Sequence, residues 1–243
     1  MEMWERSFRL ETSRSDLNGI WKLSAFFEIT QETANEHCRA LRVGRDDLAE
    51  KDLTWVLFKT DIAVERYPRL GETVTVETFT KKRFMHFLPR YYIVKDAEGN
   101  AVAKAGSLWV LMDRTTRKSV SPETYGIAIP VSDEEAPVRL FTQQPKRSGE
   151  GTVREVRPQY SDIDFNGHVN NIRYIDWLCN DLGIERMREM EIGTLSVSYS
   201  HEVLPEDALR NKLVIEGENF QYSGDCGEKP MFYMTGTLRK KGK

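Results

Sequence analysis

The sequence predicts an α+β fold in which one structural plan, a helix packed against an antiparallel sheet, occurs twice. A helical pattern of apolar residues over 23–41 is followed by segments with a period of two between residues 53 and 112. A second helical segment near residue 170 is followed by three more segments typical of strands. The 243 residues suffice for one large domain or for two of about 100–120 residues each.

The first half is predicted to contain a short strand, a long helix and four further strands. Residues 6–12 alternate weakly and predict the first strand, which a turn at 15–19 follows. The helix has a wide apolar face, which predicts that one side of it is buried. The four strands are predicted at 53–64, 73–80, 87–95 and 101–112.

Residues 121–151 contain four prolines and several charged residues, which indicates a connection between two structured halves. We therefore predict domains at 1–125 and 152–243, joined by a linker at 126–151. The second half repeats the plan, with a turn and a helix within 161–188. Its strands are predicted at 152–160, 195–203, 213–220 and 231–239.

The two halves also agree at individual positions when they are aligned with an offset of 148 residues. Matching pairs are Asn18-Gly19 with Asn166-Gly167, Phe26 with Tyr174, and Glu28 with Asp176. At one position the halves differ in chemistry, because Ile20 stands where the second half has His168. The sequence thus indicates a duplicated module in which the second copy carries the chemistry.

Composition excludes several classes of protein. The net charge of −3 gives no overall basic field that would attract nucleic acid. No apolar stretch approaches the ~20 residues of a membrane span, and the first residues do not resemble a signal peptide. Three scattered cysteines form neither a disulfide framework nor a zinc motif. We expect a cytoplasmic protein without a metal or cofactor.

The segment 158–180 contains the candidate active site. Asp164, Asn166 and His168 occupy alternate positions in a turn that precedes the second helical pattern. Asp164, Asn166 or Gly167 is expected to cap that helix, whose predicted apolar face begins at Val169. Unpaired N–H groups at a helix start stabilise an oxyanion, so this sequence predicts a catalytic centre. The ordinary alternative is that Asp164 and Asn166 only form the turn.

Several motifs together resemble one family. In the first half they are Leu53-Thr54-Trp55-Val56, Arg66-Tyr67-Pro68, Gly71-Glu72-Thr73-Val74 and Ser107-Leu108-Trp109-Val110-Leu111-Met112. In the second half they are Ser161 through Asn171, Tyr174, and Tyr199-Ser200-His201-Glu202. With these motifs, the chain resembles the acyl-ACP thioesterases. The resemblance implies two tandem hotdog domains, each a long helix wrapped by an antiparallel sheet.

The resemblance also implies a catalytic set, namely Asp164, Asn166, His168 and Glu202. The predicted strand 195–203 places His201 and Glu202 on opposite faces, and its pattern alone does not select either one. The family match selects Glu202. Many plant members carry a cysteine at the next position, which is Val203 here, so a Cys–His mechanism is discarded.

The activity implied by the resemblance is hydrolysis of fatty acyl-ACP to a free fatty acid and holo-ACP. Glu202 or Asp164 is expected to activate water or to attack the thioester directly; water activation by Glu202 is favoured. His168 would bind the thioester or the water, Asn166 would donate to the carbonyl oxygen, and Asp164 would orient its neighbours. An acyl-CoA thioesterase, a hotdog dehydratase and a non-catalytic acyl-binding protein are the alternatives.

The expected partner is the acidic acyl carrier protein, which a basic surface would receive. Three clusters are candidates for that surface: Lys81-Lys82-Arg83, residues 114–118, and Arg154 with Arg157. The resemblance places the acyl chain in the first domain, near Phe26 and Phe27, although both residues also suit simple core packing. A homodimer is left open by the sequence.

Overall fold

The computed structural model describes residues 2–143 and 146–242. The chain divides into two compact units, one of Met1–Trp21 with Ala25–Leu140 and one of Lys22–Ser24 with Phe141–Lys243. The division between residues 140 and 141 lies inside the predicted linker of 126–151. Gln144 and Pro145, which belong to that linker, lie outside the described residues. The domain bounds 1–125 and 152–243 stay predictions.

The first unit contains a long helix and a five-stranded antiparallel sheet. Its helices are α1 (Leu23–Ala40) and α2 (Arg45–Ala49). Its strands are β1 (Met3–Arg9), β2 (Leu53–Val64), β3 (Thr73–Thr80), β4 (Leu88–Lys95) and β5 (Ala101–Asp113). They are ordered β1-β3-β4-β5-β2 in the sheet. The helix and four strands lie where the sequence predicts them, whereas β1 begins earlier than the predicted strand at 6–12.

Apolar side chains from α1 and β3 form part of the core of this unit. Phe26 and Ile29 on α1 are fully buried, as are Val76 and Phe79 on β3. Phe26 packs edge-on against Trp21, with ring centroids 5.3 Å apart. Phe26 is therefore a core residue of the first unit, as simple core packing predicts.

A polar cluster is also buried in the first unit. The Arg90 guanidinium donates to His37 Nδ1 at 3.0 Å, to Thr78 Oγ1 at 3.2 Å and to Cys38 Sγ at 3.4 Å. Arg90 and His37 are both buried, and the Trp4 ring stacks on the His37 ring. These bonds satisfy groups that would otherwise be costly to bury, and they explain a histidine for which the sequence suggests no partner.

The second unit repeats the plan. Its helices are α3 (Arg173–Leu182) and α4 (Ile184–Glu189). Its strands are β6 (Thr152–Val156), β7 (Met190–Tyr199), β8 (Leu209–Glu216), β9 (Asn219–Cys226) and β10 (Lys229–Lys240). They form an antiparallel run in the order β7-β10-β9-β8-β6.

Several predicted bounds in this unit are wrong. The predicted strand 195–203 ends at Tyr199, so Glu202 lies in a loop rather than on a strand face. The predicted strand 213–220 covers parts of β8 and β9 and the turn between them. The helix predicted within 161–188 is two helices, the first of which begins only at Arg173.

None of the helices among the described residues is both long enough and apolar enough to cross a membrane. Within the same residues, the His, Cys, Asp and Glu side chains form no group of three or more that could hold a metal ion.

Candidate active site

Asp164, Asn166 and His168 lie in one tight loop that closes on itself. The Asp164 N–H donates to the His168 carbonyl at 2.9 Å, and Ile163 and Val169 form an antiparallel bridge. Inside the loop, Asp164 Oδ1 accepts the Asn166 N–H at 2.8 Å, and Asp164 Oδ2 lies 3.4 Å from Asn166 Nδ2. Gly167 adopts a φ of 79°, which allows the chain to reverse here. Both oxygens of Asp164 are thus engaged in holding the turn.

Glu202 comes from a different part of the chain and meets His168. The distance between His168 Nε2 and Glu202 Oε2 is 3.7 Å, and both side chains are partly exposed. A gap of this size closes to a hydrogen bond with a small movement, and catalytic contacts are often this long in the absence of substrate. An accessible imidazole and carboxylate therefore adjoin the turn that holds Asn166.

The chain leaves the sheet just before Glu202 because two consecutive N–H groups share one acceptor. Ser200 and His201 both donate to the Met231 carbonyl, at 2.9 and 3.1 Å. Two residues opposite one is the geometry of a bulge, which bends a strand and redirects the side chains that follow. Glu202 reaches His168 by this bend, rather than by the strand alternation that the sequence suggests.

The expected helix cap is wrong. Because α3 begins at Arg173, five positions after His168, none of Asp164, Asn166 and Gly167 caps it. Asn170 serves the helix start instead, since its Oδ1 accepts the Ile172 N–H at 2.9 Å. The candidate donor to an oxyanion is consequently the Asn166 side-chain amide rather than the N-terminus of a helix.

The first unit contains the same turn without the histidine. Asp16 Oδ1 accepts the Asn18 N–H at 2.7 Å, and the Asp16 N–H donates to the Ile20 carbonyl at 2.7 Å. Asn18 Nδ2 donates to Asp16 Oδ2 at 3.1 Å, as the Asn166 amide does to Asp164. The aspartate and asparagine therefore suffice to build the turn, whether or not chemistry occurs there.

The bulge before Glu202 also has a counterpart in the first unit. Glu65 and Arg66 both donate to the Val102 carbonyl, at 2.8 and 3.1 Å. Tyr67 follows them as Glu202 follows Ser200 and His201. The two copies thus share Asp and Asn at this site but differ in the other two residues, because Ile20 and Tyr67 replace His168 and Glu202. This comparison singles out His168 and Glu202 as the chemical difference between the units.

The position after Glu202 is unsuitable for a nucleophile. Val203 is fully buried, and its carbonyl accepts the Val169 N–H at 2.9 Å. The side chain at this position is shielded from solvent. The reason for discarding a Cys–His mechanism stays the residue itself, since valine has no nucleophilic atom.

Both halves of the chain match known protein families. Residues 1–126 match the acyl-ACP thioesterase N-terminal domain, and residues 145–225 match the acyl-ACP thioesterase C-terminal domain. The chain belongs to the acyl-ACP thioesterase family. Family membership confirms the resemblance seen in the sequence.

Several curated relatives of this acyl-ACP thioesterase family member come from plants. A chloroplastic acyl-[acyl-carrier-protein] hydrolase of Cuphea viscosissima is 26% identical over 221 residues, covering 86% of this chain and 54% of its own. A chloroplastic palmitoyl-acyl carrier protein thioesterase of Gossypium hirsutum is 27% identical over 212 residues, covering 82% and 51%. The chain spans about half the length of the curated relatives it matches.

Solved structures of the family share the fold. An acyl-ACP thioesterase from Bacteroides thetaiotaomicron aligns with a TM-score of 0.89 at 24% identity, covering 98% of both chains. A 12:0-ACP thioesterase from Umbellularia californica aligns with a TM-score of 0.83 at 23% identity, also covering 98% of both chains. The predicted fold, two tandem hotdog domains of the α+β class, is confirmed for this acyl-ACP thioesterase family member.

Proposed function

We propose that this chain hydrolyses the thioester of a fatty acyl-ACP to give a free fatty acid and holo-ACP. The observation that carries the proposal is the approach of His168 Nε2 to Glu202 Oε2, 3.7 Å apart, in a member of the acyl-ACP thioesterase family. An imidazole and a carboxylate side by side move protons, which is what the addition of water to a carbonyl carbon requires.

Glu202 acts as the general base in this proposal. Its carboxylate takes a proton from a water molecule while the water oxygen bonds to the thioester carbonyl carbon. Asp164 is less suited to this task, because both of its oxygens already bind Asn166. The equivalent aspartate of the first unit, Asp16, holds the same bonds where neither a histidine nor a glutamate is present.

Asn166 stabilises the negative charge that develops on the carbonyl oxygen. Its Nδ2 has two N–H bonds, and Asp164 Oδ2 is the acceptor for one of them. The second N–H is the proposed donor to the oxyanion, and Asp164 fixes its direction. A fixed donor of this kind contributes about 100- to 1,000-fold to the rate in well-studied hydrolases.

His168 and Glu202 complete the reaction together. When the tetrahedral intermediate collapses, the carbon–sulfur bond breaks and the electron pair leaves with the sulfur. The proton taken from water passes through the His168–Glu202 pair to the thiolate, giving the free thiol of the carrier. Proton and charge therefore balance without any further reactant.

The carrier surface and the acyl site are parts of the same proposal. Arg154 lies 2.9 Å from Asp181, and Arg157 lies 3.1 Å from Glu155, so these two candidate contacts are already ion-paired. Among the described residues, the exposed side chains of Arg114 and Lys118 form no ion pair, which favours them as contacts for an acidic carrier. We place the acyl chain in the first domain. We also place the protein in the cytoplasm, because a reducing compartment suits its three free cysteines.

The test of this function is thiol release from purified carrier loaded with acyl chains of several lengths. Each acyl chain is also presented on coenzyme A, and an enoyl thioester is followed by its absorbance. The proposal predicts thiol release that is faster from the carrier than from coenzyme A. Faster release from coenzyme A would favour an acyl-CoA thioesterase. A change in enoyl absorbance without release of thiol would favour a dehydratase, and binding of the thioester without either reaction would favour a non-catalytic acyl-binding protein.

A further inference from the structure

The residue directly before Glu202 is bound to β10 by its side chain as well as by its backbone. The His201 N–H donates to the Met231 carbonyl at 3.1 Å, and His201 Nδ1 lies 2.7 Å from the Pro230 carbonyl oxygen. Because a carbonyl oxygen only accepts, Nδ1 is the ring nitrogen that carries the hydrogen. Pro230 and Met231 are successive residues near the start of β10. The ring of an exposed histidine thus adds a second bond to the strand that already binds its backbone.

Two bonds to successive carbonyls fix the direction of the bulge as well as its place. A single backbone bond leaves the chain free to rotate about that contact, whereas a second bond at the next carbonyl opposes the rotation. On the other side of Glu202, the Val203 carbonyl accepts the Val169 N–H at 2.9 Å, and Val169 directly follows His168. Glu202 therefore lies between a residue anchored to β10 and a residue anchored to the His168 segment. Since 3.7 Å separates Glu202 from His168, a small rotation decides whether the two side chains meet.

The first unit anchors its bulge in the same way, with a different side chain. Arg66 is the second residue of that bulge, as His201 is of the bulge in the second unit. The Arg66 guanidinium lies 2.8 Å from Glu72 Oε2 and 3.3 Å from Asp96 Oδ2. Asp96 directly follows β4, so the guanidinium binds the hairpin whose second strand accepts the bulge, and the His201 ring likewise binds the second strand of its hairpin. An anchored bulge is thus common to both units, but only in the second unit is it followed by the proposed base.

We propose that His201 is a positioning residue, whose ring holds the bulge so that Glu202 stays within reach of His168. This inference rests on the proposed function, because it assigns His201 to the same site. The Nδ1 hydrogen of His201 is already bound to Pro230, so His201 acts through Glu202 and not on the thioester. The bend itself comes from backbone N–H groups, which every residue but proline supplies. Removing the ring should therefore loosen Glu202 without removing the bulge.

The test compares three variants in thiol release from acyl-ACP. His201→Leu removes the donor and keeps a side chain of similar size, whereas His201→Asn keeps an N–H donor near the place of Nδ1. Ser200→Ala is the matched control, because Ser200 is exposed in the same bulge and its backbone bond to Met231 is retained. The net strength of one hydrogen bond corresponds to about a 2- to 10-fold change in the anchored population, so kcat of His201→Leu should fall about 3- to 10-fold. KM should change less than about twofold, and His201→Asn and Ser200→Ala should stay within about 1.5-fold of the wild type.

A double-mutant cycle separates positioning of Glu202 from a general loss of structure. If His201 acts through Glu202, His201→Leu should cause little further loss in a protein that already carries Glu202→Gln. An equal loss in both backgrounds would overturn the inference. It is also overturned if kcat of His201→Leu stays within about 1.5-fold of the wild type, or if His201→Asn loses as much activity as His201→Leu.

A further readout does not depend on activity. The chain has four histidines, so a His168 variant identifies the His168 ring signal in NMR spectra. The signal should shift in His201→Leu and stay in place in His201→Asn and Ser200→Ala. If the wild type releases no thiol while this pattern is seen, the proposed function fails and the anchoring of the Glu202 segment by His201 stands. A His168 signal that does not move in His201→Leu contradicts the anchoring, whether or not thiol is released.

Discussion

Replacing Glu202 by glutamine tests the assignment of the general base. The amide has nearly the size of the carboxylate but does not accept a proton from water. A positioned general base contributes about 100- to 10,000-fold, so we expect kcat to fall at least about 100-fold. That loss equals about 2.7 kcal/mol of transition-state stabilisation. KM should change little, because the partly exposed side chain keeps its volume and its place beside His168.

The assay is thiol release at saturating acyl-ACP. Glu206→Gln is the matched control, because Glu206 is an exposed glutamate in the same loop and has no proposed role. Its kcat should equal that of the wild type. If Glu202→Gln retained more than about a tenth of the wild-type kcat, Glu202 would not be the base, since that loss is smaller than even a weak general base supplies.

Three further predictions follow from the contacts in the loop and from the surface charges. Asp164→Asn keeps an acceptor for the Asn166 N–H, so kcat should fall less than about tenfold; a loss above about 100-fold would place the base at Asp164 instead. His168→Ile introduces the residue found at the equivalent position of the first unit. It should lower kcat at least about 100-fold while the melting temperature stays close to that of the wild type. Near-normal turnover would remove His168 from the mechanism. A rising salt concentration should raise KM for acyl-ACP, and Arg114→Glu should weaken that salt dependence. A KM that does not vary with salt would exclude electrostatic docking at the surface around Arg114.

The strands of the first unit were predictable because their alternation is clear. β2 and β3 carry β-branched and aromatic residues with a period of two, and both lie where the sequence places them. β8 was harder, because Asn211 and Lys212 lie near its start and polar residues are not typical of a strand. Asn211 is nonetheless buried, and its Nδ2 donates to the Tyr222 hydroxyl at 2.6 Å. Only the fold reveals that partner.

The start of α3 was mispredicted because Val169 has the spacing of a helical apolar face. Its place is decided by a distant residue, since its N–H donates to the Val203 carbonyl at 2.9 Å. This hydrogen bond between distant parts of the chain therefore keeps Val169 in an extended conformation, although the local sequence pattern favours a helix. The same bond explains why the predicted cap residues form the loop instead.

Three of the four candidate site residues stand out in the sequence pattern because they share one short loop. Glu202 does not, and only the family resemblance selects it, since a bulge at Ser200 and His201 brings it beside His168 and those residues give no clear signal of that bend. Its counterpart Tyr67 is also hidden in the sequence, because it lies 135 positions before Glu202, whereas the turns align at an offset of 148. Loops of different length between the turn and the bulge obscure the repeat.

The most direct test of the account is the structure of the protein with an acyl-pantetheine amide, in which nitrogen replaces the thioester sulfur. The account predicts the carbonyl oxygen within about 3.2 Å of Asn166 Nδ2, and a water molecule between the carbonyl carbon and Glu202. A carbonyl group bound away from Asn166, with neither His168 nor Glu202 within reach of it directly or through one water molecule, would contradict it.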